Sequence, residues 1–491
     1  MPPVLIYLVE SVGGFLALDK IVSLIHKANE LVWGPGMLVF LLGTGVYLMV
    51  RLHFLPLKNL KYALLCTIGQ EHRMDAQKKG KKGENQGEQQ EGMVDKKGVS
   101  SFSSLTTELA ATIGTGNIVG VATAMVLGGP GALFWMLVSS FIGMATKLTE
   151  SMLAVKYRSI NERGEPVGGP MYTLRNAFPS KRLGRLLGTL FAVFAIMASF
   201  GMGNMTQSNS IAEALYVSFG VPHAKTGLVV TIITILVVLG GIKSIAKVTQ
   251  VVVPFMGIFY LLGTLLVIIT HIENVPRGIA QIVAMAFCPE AVAGGLMGNI
   301  AVSAKDALRW GVSRGVFSNE AGLGAAGISA AAADTKDYVK QGYISMTGVF
   351  IDTIVICSIT GLALAASGVL GSVDVNGELI MGTALTIAAF RSTFGEWGAV
   401  FLSICITLFA FATIVGWAYQ GEKAFEFLAK KTKYCIYYRF CYALVAFLGA
   451  ICSLEVVWEF SDVCNALMVV PNLICVLMLS GEACREIKSY R

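Results

Sequence analysis

The run Thr112-Ile113-Gly114-Thr115-Gly116-Asn117-Ile118-Val119-Gly120 gathers three glycines, two threonines and an asparagine into nine residues of a long apolar stretch. Two kinds of binding chemistry suit that mixture. Glycine admits unusual backbone angles and lets a ligand approach the main chain. A helix opened there offers free N–H groups and a positive dipole end to a carboxylate. It also offers free carbonyls to a cation, and the side-chain oxygens of Thr112, Thr115 and Asn117 are hard ligands of the kind sodium prefers. Gly114, Thr115, Gly116 and Asn117 are therefore candidate substrate-binding residues. The competing reading is plain helix–helix hydrogen bonding by the threonines and the asparagine.

A second small-residue run, Gly322-Leu-Gly324-Ala-Ala-Gly327-Ile-Ser-Ala330, is a weak counterpart of the first, and Gly322 joins the candidates. Ala410, Thr413, Trp417 and Gln420 recur at steps of three or four, hence on one helix face. An Ala410 carbonyl and the Thr413 hydroxyl would complete a cation site facing the 110–113 backbone, and Trp417 would wall a cavity; a packed interior face is the alternative. Gly201-Met-Gly-Asn-Met-Thr-Gln207-Ser-Asn-Ser210 sets a polar cluster deep in an apolar stretch, where amides usually face a cavity or a partner helix. Gln207 is the substrate-contact candidate among them. Glu108 and Asp352 are carboxylates inside apolar stretches, each a candidate for a cation or proton role or for a simple pairing near the surface.

Other motifs carry less. Gly311-Val-Ser313-Arg-Gly315 matches G-x-S-x-G, but that motif needs a strand–turn–helix context and a histidine base. The five histidines fall near the ends of apolar stretches or in loops, which argues against a hydrolase. No glycine run is followed by Gly-Lys-Ser/Thr, so ATP-driven transport by this chain alone is not expected. The ten cysteines show no C-x-x-C and no zinc spacing, and neither a disulfide framework nor a metal centre is expected.

The elements that must position these residues are membrane helices. Of 491 residues, 55% are hydrophobic and 14% charged, and mean hydropathy is +0.67. Many apolar stretches are long enough to cross a bilayer as helices, and the alternating segments of a membrane barrel are lacking. Eleven spans are expected, at 34–54, 101–126, 131–155, 186–217, 226–242, 248–270, 300–328, 342–367, 397–421, 436–454 and 461–480. The basic residues, including Lys78 to Lys82, Arg158, Arg182, Lys243, Lys340, Lys430, Lys431 and Arg491, fall on one side if eleven spans alternate, which puts the N-terminus outside and the C-terminus in the cytoplasm. The net charge of +7 then reflects membrane orientation and not nucleic-acid binding. No cleavable signal peptide is expected; residues 1–30 read as an amphipathic surface segment. The organisation expected is an N-terminal segment and peripheral span at 1–55, a basic cytoplasmic linker at 56–99 with a flexible 72–98 core, a first repeat at 100–271, a second at 272–455, and a final span and tail at 456–491. By this count the two glycine runs lie in helices of opposite direction, the pattern of inverted-repeat transporters, whose interrupted helices mark a midplane site.

Gly128-Gly-Pro-Gly-Ala-Leu-Phe-Trp-Met136, followed by Ser139 and Gly143, resembles the signature of the sodium:alanine (alanine/glycine:cation) symporter family. Ala111 to Ala124, Gly168-Gly-Pro-Met-Tyr172 and Ser318-Asn-Glu-Ala-Gly-Leu-Gly-Ala-Ala-Gly327 fit the same family in the same order across roughly residues 100–480. Leu137, where the signature usually has Trp, and Glu108, where a small apolar residue is expected, depart from it. The resemblance implies an all-α leucine-transporter-type core of five plus five inverted helices with one extra N-terminal span, in the cell membrane. It implies sodium-coupled import of alanine, glycine or a similar small neutral amino acid by alternating access, with proton coupling or another small solute as the alternative. Channel and intramembrane hydrolase are remote readings. The substrate carboxylate would meet the Gly114–Asn117 backbone, with Gln207, the 315–324 break and Trp417 closing the pocket. Sodium would sit on the Ala110, Ile113 and Ala410 carbonyls and the Thr413 hydroxyl. No organic cofactor is expected, and the carrier would function as a monomer in the bilayer.

Overall fold

The computed structural model describes residues 15–70, 98–288, 291–292, 301–374 and 376–490. Apart from Gly98, the 72–98 stretch expected to be a linker lies outside the described residues, as do the first 14 residues of the N-terminal segment.

The principal helices, numbered in chain order, begin with α1 (Phe15–Val32) and α2 (Pro35–Arg51). The first half of the core follows as α3 (Ser101–Thr112), α4 (Val119–Leu127), α5 (Gly131–Lys156), α6 (Lys181–Phe200), α7 (Thr206–Phe219), α8 (His223–Val238) and α9 (Gly241–Thr270). After α10 (Val275–Met285) come α11 (Ala304–Asn319), α12 (Ala325–Ala330), α13 (Tyr338–Val349) and α14 (Ser358–Ser367). The chain closes with α15 (Gly382–Phe394), α16 (Glu396–Ala429), α17 (Cys435–Ile451) and α18 (Leu454–Ser489). Described strands are confined to two short antiparallel ribbons, Ser159–Ile160 with Pro166–Val167 and Ala291–Val292 with Ala301–Val302.

Among the described residues, eight helical segments are long and apolar enough to cross a membrane by length and composition. The expected eleven are not reached by that measure, for a physical reason. The stretches 101–126 and 300–328 are each split by a break in the α-helix, the first holding a single 3-10 turn at Thr115–Asn117, and α8 has only 16 residues. The first apolar segment also starts earlier than expected, running over Ser23–Arg51. Its α1 part is held against α18, with the Trp33 indole donating to the Asp462 carbonyl at 3.0 Å.

The two split helices lie side by side and antiparallel. Ser104 at the start of α3 donates to the Ser329 carbonyl in α12 at 2.8 Å. At the other end a Cβ on Gly128 would stand 3.0 Å from the Asp306 carbonyl near the start of α11. Between them, a Cβ on Gly116 would come within 3.2 Å of the Ser318 Cα, so the breaks face each other. Local chemistry explains both interruptions. Ser100 caps α3 by accepting from the Ser103 N–H at 3.0 Å, and Gly114 leaves the helix in an extended conformation. Ser303 and Asp306 form a capping box at the start of α11. Its end turns through Glu320, Gly322 and Gly324, all left-handed, with φ of 58°, 89° and 79°. The last two angles are where glycine is needed.

The G-x-S-x-G match is a packing stripe. A Cβ on Gly311 would strike the Ala132 carbonyl and one on Gly315 would stand 2.9 Å from the Ser139 hydroxyl, so both glycines let α11 close on α5. Ser313 donates to the Trp310 carbonyl of its own helix at 3.3 Å.

Candidate functional site

The first break is held open by its own side chains. The Asn117 amide oxygen accepts from the Gly114 N–H at 2.9 Å, and its Nδ2 donates to the Asp352 Oδ1 at 2.7 Å and to the Asp352 carbonyl at 3.0 Å. From the other break Ser318 donates to the Asp352 Oδ2 at 2.8 Å, and Thr353 reaches the same oxygen at 2.7 Å. One buried carboxylate thus ties both interrupted helices together. Asp352 sits in a π-helical turn, Phe350–Cys357, between α13 and α14; such turns widen a helix and recur at functional sites.

Gln207 follows a second π-helical turn, Gly201–Met205, which frees the Met202 carbonyl to accept from the Gln207 Nε2 at 2.9 Å. Its Oε1 then points at the first break, accepting from the Thr115 N–H at 3.2 Å and the Thr115 hydroxyl at 3.0 Å. The unwound backbone N–H of Thr115 is therefore presented at this spot as a donor.

Opposite stands α16. Thr413 donates to the Phe409 carbonyl at 3.2 Å and its hydroxyl is 3.5 Å from the Ile113 carbonyl. A Cβ on Gly114 would strike that hydroxyl, and one on Gly416 would stand 2.7 Å from the Ala111 N. Ile113, Gly114 and Thr413 are therefore brought together. Ala110 and Ala410 are fully buried on the same two helices. One turn further, the Trp417 indole donates to the Glu320 Oε1 at 2.8 Å, and its Cβ packs where a Gly203 Cβ would sit. Thr115, Asn117, Gln207, Thr413 and Trp417 are all buried to within 1% exposure, so the site is closed on both sides.

Gly322 is placed differently from the other candidates. Its carbonyl accepts from Asn472 at 2.9 Å, and a Cβ there would meet Leu41 at 2.9 Å, on the side of α2 and α18. Gln420, on the shared face of α16, donates to Ser329 at 3.2 Å.

The larger surprise is a charged cluster behind the second break. Lys147 of α5 donates to the Asn319 carbonyl at 2.9 Å and lies 3.3 Å from Glu108, with both side chains wholly buried. Glu108 thus pairs with a lysine as one reading expects, but in the interior and not at the surface. The ammonium sits at the carboxyl end of α11, where the helix dipole favours a cation. Glu150, one turn along α5, accepts from Asn472 at 2.7 Å. Lys147, Glu150, Asn319, Glu320 and Asn472 were not singled out from the sequence. The signal was there: Lys147 and Glu150 are charges three residues apart inside a 26-residue helix that is otherwise fit to cross a membrane.

Trp417→Phe trims the indole to a single ring and removes its donor to Glu320. The expected loss is about 1–3 kcal/mol, read as roughly five- to 150-fold weaker substrate binding in a radioligand assay, together with a lowered melting temperature, since a buried acceptor and a small void are left behind. Equal affinity in Trp417→Phe and the parent would show that the bond does not shape the site.

Comparison with known proteins places this geometry. Residues 18–491 match the model of the sodium:alanine symporter family. The chain is 46% identical over 469 residues to the sodium/alanine symporter AgcS of Methanococcus maripaludis, covering 96% of this chain and 97% of that one. It is 33% identical to the putative sodium/proton-dependent alanine carrier protein YrbD of Bacillus subtilis, with 95% and 92% covered. The probable sodium/glutamine symporter GlnT of the same organism is 35% identical, with 94% and 89% covered. Among solved structures, MhsT in complex with L-phenylalanine superposes with a TM-score of 0.61 at 13% identity, covering 81% of this chain and 94% of that one. That likeness establishes the leucine-transporter-type fold. With broken helices crossing at a closed polar centre in a multi-pass membrane protein, the chain belongs to the sodium:alanine symporter family, as a carrier and not an enzyme.

Proposed function

We propose that the chain imports a small neutral amino acid, alanine or glycine, together with sodium, by alternating access. The observation that carries this reading is the meeting of an unwound backbone, the Gln207 amide and the Thr413 hydroxyl in one buried space. The Gly114–Asn117 backbone and Thr115 would take the carboxylate, Gln207 would orient it, and Trp417 would limit side-chain size. Sodium would lie between Ile113 and Thr413, with the carbonyls of Ala110 and Ala410 completing its shell. The sequence reading adds Gly322 to the substrate set; its carbonyl's bond to Asn472 gives it the role of shaping the second break.

Two ion-paired layers flank this centre. Arg314 of α11 makes a two-pronged bridge to Asp462 of α18, at 2.9 and 2.6 Å, with both side chains buried. Toward the 156–165 connection, Lys423 bridges Glu165 at 3.1 Å and Glu426 at 2.8 Å, and Arg439 holds Glu422 at 2.7 Å. A cavity of about 180 Å³ opens beside the second layer, lined by Tyr419, Lys423 and Arg439. With the N-terminus outside and eleven crossings, the Arg314 pair would be the outer closure and the Lys423 network the cytoplasmic one. Each layer would part in turn while the other stays shut.

Purified protein in liposomes should accumulate labelled alanine when an inward sodium gradient is imposed. Replacing sodium by potassium, with no pH gradient, should abolish that accumulation. Equal uptake in potassium would refute sodium coupling. Competition by glycine and serine against larger amino acids would then rank the pocket by size.

A further inference from the structure

We infer that Glu320 carries a proton through the transport cycle, holding it while Trp417 covers the carboxylate and releasing it when the site opens. The inference rests on the carrier function above and adds a proton to its sodium.

The buried charges do not balance. Among the described residues, four carboxylates, Glu108, Glu150, Glu320 and Asp352, and a single ammonium, Lys147, stand around the second break, all with at most 3% exposure. Hydrogen bonding and position together sort the four. Glu108 has Lys147 at 3.3 Å. Asp352 receives Asn117, Ser318 and Thr353 on its two oxygens, the kind of donors that an ionised carboxylate wants. Glu150 and Glu320 each have one side-chain donor, Asn472 and the Trp417 indole, and one buried oxygen with no hydrogen-bond partner among the described residues. Of these two, Glu320 is the one bonded to Trp417, on the face of α16 that closes the centre. An ionised oxygen left bare in this interior is costly, whereas a protonated one is not.

Position points the same way. Glu320 follows directly on α11, at the negative end of that half-helix, where a second negative charge is disfavoured. The groups within electrostatic reach are Lys147 from α5, Glu108 from α3 and Asp352 from the π-helical turn, with Trp417 covering it from α16 and Glu150 facing Lys147. Lys147 is already taken by Glu108 and the Asn319 carbonyl. When α16 draws Trp417 away, water reaches the carboxylate, and the Oε2–H bond breaks to hydrate the proton on that side. On the opposite side water supplies the next proton before closure. The substrate step is otherwise unaltered, and no electron moves.

The test uses the full chain in liposomes that enclose a pH-sensitive dye, with equal sodium on both sides. Adding alanine outside the wild type should acidify the lumen in step with alanine entry. Initial uptake should fall from mildly acid to mildly alkaline external pH, approaching about tenfold per pH unit, the slope of one required proton. Glu320→Gln, a permanent mimic of the neutral acid, should lose both the acidification and the pH slope while still binding labelled alanine in sodium. Alanine entry without lumen acidification in the wild type overturns the proton and leaves the sodium-driven carrier standing. So does a Glu320→Gln protein that melts cooperatively yet binds no alanine at any pH, since the carboxylate would then be serving the substrate's ammonium. No alanine entry under any gradient overturns the carrier reading and the proton with it. If that variant fails to fold, Glu320→Asp decides: a shorter acid should displace the pH slope while keeping the acidification, and a wild-type profile in both readouts overturns the assignment to Glu320.

Discussion

Gly114→Ala is expected to weaken sodium-dependent alanine binding by about five- to 150-fold and to leave the protein folded. The added methyl would strike the Thr413 hydroxyl and stand 3.2 Å from the Gln207 Oε1. Both neighbours are fixed. Thr413 is held by the Phe409 carbonyl at 3.2 Å, and Gln207 by the Met202 carbonyl at 2.9 Å. Forcing a methyl into such a space typically costs about 1–3 kcal/mol. Here the strain falls on the groups proposed to hold sodium and the carboxylate. α16 can retreat only by opening the Ile113–Thr413 gap, which is the sodium position, so half-saturating sodium should rise together with half-saturating alanine. Reciprocal coupling requires the two shifts to move together. Gly43→Ala in α2 is the matched control, because nothing lies within 4 Å of the Cβ it would add. Parent-like sodium dependence in Gly114→Ala would remove the sodium site from this contact.

Much of the centre was legible because its residues depart from what a membrane helix ordinarily carries. Glycines, threonines and an asparagine between Thr112 and Gly120 are conspicuous in hydrocarbon, and the chain does unwind there. The helical step from Thr413 to Trp417 put both on one face, and they do face the first break and Glu320 respectively. Gln207 stood out as an amide in an apolar stretch, and its oxygen is bonded to Thr115. What could not be read was pairing across the chain. Lys147 and Glu108 are 39 positions apart in sequence and touch only because α3 and α5 both pack against α12 and α13. Asn472 reaches Gly322 from α18, which draws that glycine's carbonyl toward the scaffold. The span count failed to match helix lengths for a related reason: apolar composition runs on through the two breaks, while the backbone does not.

The second large effect concerns Asp352. Asp352→Ala should abolish transport and destabilise the protein by about 3 kcal/mol or more, since removing a buried charged partner strands the donors that faced it. Asn117 would lose its 2.7 Å acceptor, and Ser318 and Thr353 would lose theirs at 2.8 and 2.7 Å. Two of these donors come from the first break and from the end of α11 at the second break, and the third from the π-helical turn of Asp352 itself, so the loss uncouples the two interrupted helices from each other. Asp352→Asn separates geometry from charge. Its amide oxygen can still accept from Asn117, while its NH₂ faces the Ser318 and Thr353 hydroxyls, which can rotate and accept instead. Transport within about tenfold of the parent in Asp352→Asn, against none in Asp352→Ala, is the result expected of a carboxylate that acts by holding both breaks in register. Equal loss in the two variants, with Asp352→Asn melting like the parent, would mean that the negative charge itself is required. Asp352 would then move from the frame of the site to the cation it binds.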